Sequence, residues 1–237
     1  MKILLKSSIN FFDIIDKYIH QKKILNFFKK KKCSLDSLID VGSHKGLYTD
    51  LFAKNFKLKQ IIMFEPQIKI YQFLKKKYKK NKKIIIFNKA VSNKNSIQIL
   101  KLNHHDLTTT LSSFDSDNLY LKLKATLFGV KDMTYSNIKI KTIKLQDILK
   151  KNRLKKIDLL KIDTEGHELE VLKGLDKKIK IIKYILIEFH NDKIYLKYNP
   201  KKIHNYLIKK GFILEAQFKF PFTTWEDRIY LNKYENR

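Results

Sequence analysis

Five short apolar segments recur along the sequence, and each is too apolar to be a strand that keeps one face in water. They are Leu38–Val41, Gln60–Phe64, Ile84–Phe87, Ile157–Ile162 and Tyr184–Glu188. The first two precede segments in which apolar residues recur at helical spacing. Strands that are buried on both faces and alternate with helices are typical of a parallel, doubly wound sheet. The pattern therefore predicts an α/β fold.

The length of 237 residues suffices for one α/β domain and is short for two. We expect residues 35–237 to form this domain, preceded by a helical and basic segment over residues 1–34. After Pro200 a helical pattern leads into two strand-like segments, Phe212–Phe218 and Arg228–Asn232. They predict an antiparallel hairpin that closes the sheet.

Residues 93–150 break the alternation of strands and helices. Ile97–Leu102 and Ile138–Ile143 alternate apolar and polar residues, as paired antiparallel strands do, around a long polar stretch. Because loops of this length are usually functional, we interpret the region as an inserted hairpin and substrate lid. Its candidate acceptor contacts are His104, His105, Asp106 and Thr108.

The N-terminal segment has the spacing of an amphipathic helix through Phe12, Ile15 and Ile19, followed by the basic run Lys29–Lys32. Acidic and amide residues interrupt it before a signal peptide or membrane span could form. We expect a helix packed on the domain edge. The alternative is peripheral attachment to an anionic membrane.

The formal net charge is +28, and a large positive charge is typical of proteins that bind polyanions. Only three of the 51 basic residues are arginines, however, and the lysines are spread over nearly every segment. Readers of bases and phosphates favour arginine, so nucleic acid is not the favoured partner. The single cysteine, Cys33, excludes an intramolecular disulfide and favours the cytoplasm, with the inner face of the membrane as a peripheral site.

The first strand-to-helix turn contains Gly42 and Gly46, which flank Ser43 and His44. Glycines allow a ligand to approach the backbone, and the amides of such a turn can bind a carboxylate. The spacing of a pyrophosphate-binding loop is absent. Glu65 ends the second strand, where related folds place the acid that binds ribose hydroxyls. A ribose acid without a phosphate loop favours S-adenosylmethionine over NAD.

Ionisable side chains are most concentrated after the fourth strand, in Lys161–Glu168. Ligands of α/β sheets bind beyond the carboxyl ends of the strands, so this segment is a predicted active-site rim. The alternative is that Asp163 caps a helix whose first turns contain its acidic neighbours and Gly166. Five rim groups offer oxygen and imidazole ligands for a divalent cation, although no metal is predicted. They are Asp163, Glu165, His167, Glu188 and His190.

Several motifs, taken in order, resemble those of FkbM-type methyltransferases. They are Asp40–Tyr48, Phe64–Pro66, Lys89–Ser92, Lys161–Gly174 and Ile187–His190. The resemblance spans roughly residues 38–232, and the segment from Asp163 to Gly174 is its most specific part. It implies a Rossmann-like class I fold with a seven-stranded, mostly parallel sheet. It also implies S-adenosylmethionine as cofactor and methyl transfer to a hydroxyl of a sugar, glycolipid or secondary metabolite.

The resemblance also implies roles for individual residues. Asp40, Gly42 and Gly46 would line the methionine end of the cofactor, Glu65 would bind its ribose, and Ala90 and Val91 would lie near its adenine. The family usually has Ala-Asn where this chain has Ser43-His44. The remaining predicted cofactor contacts are Ser43, His44, Tyr48, Pro66 and Asp163.

Methyl transfer to a hydroxyl requires alignment of the two reactants and removal of a proton. His167 is the first candidate for the general base, because the unperturbed pKa of histidine suits proton transfer near neutral pH. Asp163 or Glu165 would orient it or act as the base, and His190 is a competing base. Two other functions remain open: an RNA methyltransferase, and a non-catalytic module at a membrane or a polysaccharide-assembly complex.

Overall fold

A computed structural model describes most of the chain. The described residues are 19–103, 109–113, 115, 118, 122, 126, 134–191, 194–220 and 224–234. The predicted acceptor contacts His104, His105, Asp106 and Thr108 lie outside these residues, as do Phe12 and Ile15 of the predicted N-terminal helix.

The strands among these residues are β1 Ser37–Val41, β2 Gln60–Phe64, β3 Ile84–Phe87, β4 Ala90–Val91, β5 Ser96–Asn103, β6 Thr134–Ile143, β7 Ile157–Ile162, β8 Ile182–His190, β9 Phe212–Lys219 and β10 Trp225–Asn232. The helices are α1 Gln21–Lys30, α2 Leu47–Asn55, α3 Ile68–Lys77, α4 Leu145–Lys151, α5 Glu168–Lys173 and α6 Pro200–Lys209, with a 3₁₀ helix at Asp176–Ile181.

Seven strands form the main sheet in the order β3-β2-β1-β7-β8-β10-β9. The pairs from β3 to β8 are parallel, and β10 pairs antiparallel with both β8 and β9. The predicted fold is therefore confirmed, including the C-terminal antiparallel hairpin. The carboxyl ends of β1, β2, β7 and β8 meet at one edge of this sheet.

Both faces of the sheet are covered, which explains why its strands are so apolar. Neighbouring side chains of a strand point to opposite faces. Leu159 accordingly packs into one hydrophobic cluster and Leu160 into the other, and all six residues of β7 are buried.

Helix α1 belongs to one of these two clusters. Its buried Ile24 and Phe28 pack there, and the Phe28 ring lies 5.6 Å from that of Phe52 and 5.3 Å from that of Tyr184 in edge-on contacts. Lys29–Lys32 is exposed. No helix in the described part of the chain is long and apolar enough to cross a bilayer.

The inserted region contains the predicted antiparallel pair, β5 and β6, and β4 adds to β6 as a third, parallel strand. The expectation that residues 93–150 are only hairpin and lid is wrong at their end. Helix α4 buries Leu145, Ile148 and Leu149 in the main core. The pattern did not predict α4 or β4, because elements of seven and two residues give too little periodicity to read.

Candidate functional site

The turn after β1 is built around the missing side chain of Gly42. Its φ is +79°, and a Cβ at this position would lie 1.7 Å from the carbonyl oxygen of Asp163. The Asp163 amide in turn donates to the Val41 carbonyl at 3.0 Å. The loop after β1 therefore packs directly on the loop after β7.

The amides of this turn are already engaged. Gly42 and Ser43 both donate to the Phe64 carbonyl at 3.1 Å, and His44 donates to a Glu65 carboxylate oxygen at 3.0 Å. These three amides are therefore not free to bind a carboxylate. They hold the ends of β1 and β2 together.

A buried ion-pair network lies beneath the turn. Lys161 Nζ is 2.8 Å from Asp163 Oδ2 and 4.0 Å from Asp40 Oδ1, and Thr49 donates to Asp40 at 2.7 Å. Burial opposes the charge on Lys161, but Asp163 and Asp40 raise the pKa of its ammonium above the usual range. Burial likewise disfavours the ionised form of Asp163, yet Lys161 holds the pKa of Asp163 below its usual range. This pair is ionised at neutral pH.

Lys161 was not singled out by the sequence analysis. The only signal in the sequence is its place as a lone cation inside an apolar strand, two residues before an acid.

Glu65 presents its carboxylate at the end of β2. It is only 3% exposed and accepts the amides of Gln67 at 2.8 Å and His44 at 3.0 Å. Burial raises the pKa of Glu65 to about 7 against the effect of these two hydrogen bonds. The carboxyl is therefore fixed in place and titrates near neutrality.

One cavity brings most of the predicted site residues together. Those that line it are Gly42, Ser43, His44, Tyr48, Glu65, Pro66, Ala90, Val91, Asp163, Glu165 and His167. Asp40, Gly46 and His190 do not line it. Asp40 is fully buried under the network of Lys161, and Gly46 begins α2 with its Cα against the Tyr78 hydroxyl.

The loop before α5 differs from the predicted helix start. Helix α5 begins at Glu168, so Asp163 does not cap it and Gly166 is not in its first turn. Gly166 has a φ of +91°, and a Cβ there would lie 2.6 Å from the Tyr195 ring. Glycine thus allows the Tyr195 ring to lie close to this loop. Buried Glu168 holds the loop by accepting the amides of Thr164 and Gly166.

Four side chains at the ends of β7 and β8 form a group that we call the rim cluster: Asp163, Glu165, Glu188 and His190. Glu165 accepts a hydrogen bond from the Tyr195 hydroxyl, and Glu188 shares a hydrogen bond with Asp163. Burial raises the pKa of Glu165 to about 8, and burial with nearby Asp163 raises that of Glu188 well above its usual range. The rim cluster therefore places three carboxyl groups close together.

His167 lies apart from this cluster in its contacts. Its Nε2 is 3.0 Å from the Ser92 hydroxyl, which follows β4. Burial lowers the pKa of His167, so the ring is neutral at physiological pH.

Residues of the insert complete the cavity wall. Thr109, Thr110 and Leu111 line it, and the Thr110 hydroxyl donates to the Glu165 carbonyl. The Ser112 hydroxyl donates to the Gly166 carbonyl at 2.7 Å. The insert is therefore fastened to the loop that carries the rim cluster.

The strand order and the fixed acid at the end of β2 define a Rossmann-like fold with a site for a nucleoside-type ligand. The profile of the Methyltransferase FkbM domain matches residues 40–214. The chain therefore belongs to the FkbM methyltransferase family. A comparison with curated protein sequences finds no match.

Several solved structures are similar to this chain at low identity. A methyltransferase FkbM from Methylobacillus flagellatus KT is 15% identical with a TM-score of 0.53, over 84% of this chain and 43% of that one. This chain thus spans less than half the length of that protein. A SAM dependent methyltransferase from Aquifex aeolicus is 13% identical (TM-score 0.48; 92% and 93% covered). Fibrillarin from Aeropyrum pernix, with natively bound S-adenosyl-L-methionine, is 10% identical (TM-score 0.47; 84% and 66% covered).

The close contact between Gly42 and Asp163 predicts that adding a single methyl group at Gly42 strongly destabilises the fold. We expect Gly42→Ala to lower the free energy of unfolding by more than about 2 kcal/mol, because it adds both a left-handed alanine and a backbone clash. Urea denaturation measures this change. The neighbouring control, Ser43→Ala, removes one hydrogen bond and should cost about 1 kcal/mol or less. Equal losses in the two variants would contradict the prediction.

Proposed function

We propose that this chain transfers the methyl group of S-adenosylmethionine to a hydroxyl oxygen of a sugar, glycolipid or secondary metabolite. Membership of the FkbM family supports methyl transfer. The observation that carries the proposal is one cavity that Glu65, Asp163 and Glu165 all line. Such a cavity suits a nucleoside cofactor beside a hydroxyl acceptor.

The order of the strands orients the cofactor in this proposal. Glu65, at the end of β2, accepts hydrogen bonds from the ribose hydroxyls, and Ala90 and Val91 pack beside the adenine. Gly42 and Asp163, which follow the neighbouring strands β1 and β7, would hold the methionine end. The cofactor would supply its methyl group to an acceptor bound near the rim cluster.

The reaction in this proposal is an in-line displacement. The acceptor oxygen forms a bond to the methyl carbon while the carbon–sulfur bond breaks and its electron pair returns to sulfur. The products are the methyl ether and neutral S-adenosylhomocysteine. The hydroxyl proton must leave, and a side chain within hydrogen-bond reach of the acceptor accepts it.

Glu165 is better placed than His167 to contact the acceptor hydroxyl. Glu165 lines the cavity and touches the residues at the end of β8. His167 also lines the cavity, but its hydrogen bond to Ser92 directs the ring towards the side proposed for the adenine. We therefore assign His167 to positioning of the cofactor.

The function is tested by incubating the protein with methyl-labelled S-adenosylmethionine and separate extracts of glycans, lipids and structured RNA. Label in a glycan or lipid product supports the proposal. Label in RNA alone would establish the alternative that the net charge suggests. Absence of cofactor binding in calorimetry would establish a non-catalytic module.

The raised pKa of Glu65 predicts a pH dependence of cofactor binding. The ionised carboxylate is the better acceptor for ribose hydroxyls, so affinity should rise as the pH increases through about 7. Between pH 6 and 8 we expect roughly a tenfold gain in affinity by calorimetry. Glu65→Gln should bind more weakly at pH 8 and should retain only the titration of the cofactor itself. Identical pH profiles for the two proteins would rule out this role.

Two variants distinguish Glu165 from His167 as the proton acceptor. We expect Glu165→Gln to lower turnover about 10²-fold or more while cofactor affinity changes less than about threefold. His167→Ala should instead weaken cofactor binding and lower turnover by a smaller factor. Both are measured with the acceptor found by the screen. The reverse pattern would make His167 the general base.

A further inference from the structure

Three side chains of the rim cluster converge on one point. Glu165, Glu188 and His190 each offer one ligand atom, and these three atoms lie within 4.8 Å of one another. Glu188 and His190 lie two residues apart at the end of β8, and Glu165 lies in the loop that follows the neighbouring parallel strand β7.

The His190 ring makes no hydrogen bond among the described residues. Its residue is 1% exposed, and neither ring nitrogen makes a hydrogen bond to any described residue. Nε2 is 3.4 Å from Glu188 Oε2 and 3.6 Å from Glu165 Oε2, which is too long for a good hydrogen bond. Burying an imidazole that makes no hydrogen bond is costly. A cation bound by Nε2 and the two carboxylates would offset this cost.

The separations are those of ligands around a metal ion. Two ligands bonded at about 2.0–2.2 Å in tetrahedral geometry lie roughly 3.3–3.6 Å apart. The two distances from His190 Nε2 match this range without rearrangement of the backbone. One imidazole with two carboxylates selects ions such as Zn²⁺ or Mn²⁺, whereas Ca²⁺ and Mg²⁺ prefer oxygen ligands alone.

The surroundings of the three groups also suit an ion. The Tyr195 hydroxyl donates to Glu165 and thereby orients its carboxylate, as outer partners of metal ligands do. Aromatic rings of Tyr195, Tyr198 and Trp225 lie around His190 at 5.0, 5.8 and 6.2 Å. Lys161 pairs with Asp163 at 2.8 Å, so its single charge only partly offsets that of Glu188.

We propose that Glu165, Glu188 and His190 bind one divalent transition-metal ion, Zn²⁺ or Mn²⁺, at the acceptor end of the cavity. This inference rests on the proposed function for its role: because Glu165 lines the cavity, the ion supplies a positive charge beside the acceptor oxygen and eases loss of its proton. Glu165 would bind the ion through Oε2, the oxygen nearest His190, which leaves its other oxygen to accept that proton.

The test measures metal content and cofactor binding separately, on the full chain without a histidine tag. After removal of metals with a chelator, Zn²⁺ or Mn²⁺ is added in equilibrium dialysis, and bound metal is counted by mass spectrometry. We expect one ion per chain. Glu188→Gln and His190→Asn should each weaken its binding at least tenfold, whereas the matched controls Glu170→Gln and His204→Asn should bind as the wild type does.

Two results would overturn the metal site: no stoichiometric binding of either ion by the wild type, or equal binding by the site variants and their controls. The first result is independent of how well the variants fold. Calorimetry with S-adenosylmethionine in excess chelator, on the same preparations, keeps the two proposals apart. Cofactor binding without metal binding would refute the metal site alone, and metal binding without cofactor binding would refute the methyltransferase function alone.

Discussion

The buried pair of Lys161 and Asp163 is the interaction on which the rest of the site depends. The Lys161 side chain is removed from water at the end of β7, whereas that of Asp163 is 28% exposed, and each stabilises the charged form of the other. Removing Asp163 would leave the buried Lys161 ammonium without its nearest carboxylate, which is strongly destabilising. The pair also fixes the Asp163 backbone, on which Gly42 packs. An ion pair and a close backbone contact therefore hold the loops after β1 and β7 together.

This pairing also determines the chemistry of the neighbouring groups. Lys161 pairs with Asp163 and lies close to Asp40, so its single charge only partly offsets that of Glu188. Burial then raises the pKa of Glu165 and of Glu188. Acid-rich sites with raised pKa values are typical of places where protons or cations are exchanged. The proposed proton acceptor and the proposed metal site both follow from this imbalance.

The fold could be predicted from the sequence because its strands are buried on both faces, so that each is apolar along its whole length. A short apolar segment such as Ile157–Ile162 is therefore readily recognised as a buried strand. Helix α4 and strand β4 were missed because short elements are stabilised by packing, as Leu145 shows, and not by their own periodicity. The start of α5 was misplaced because Gly166 serves a contact with Tyr195, a residue distant in sequence.

The sequence by itself determined the class of fold, because that depends on the local pattern of apolar residues. It also determined which residues follow the carboxyl ends of the strands, and so which side chains are available to the cavity. Only the tertiary structure decided which neighbours each group has. It joined Lys161 to Asp163, directed His167 to Ser92, and left His190 between two carboxylates. Charge interactions and hydrogen bonds act over a few ångströms in space, and spacing along the chain does not specify those distances.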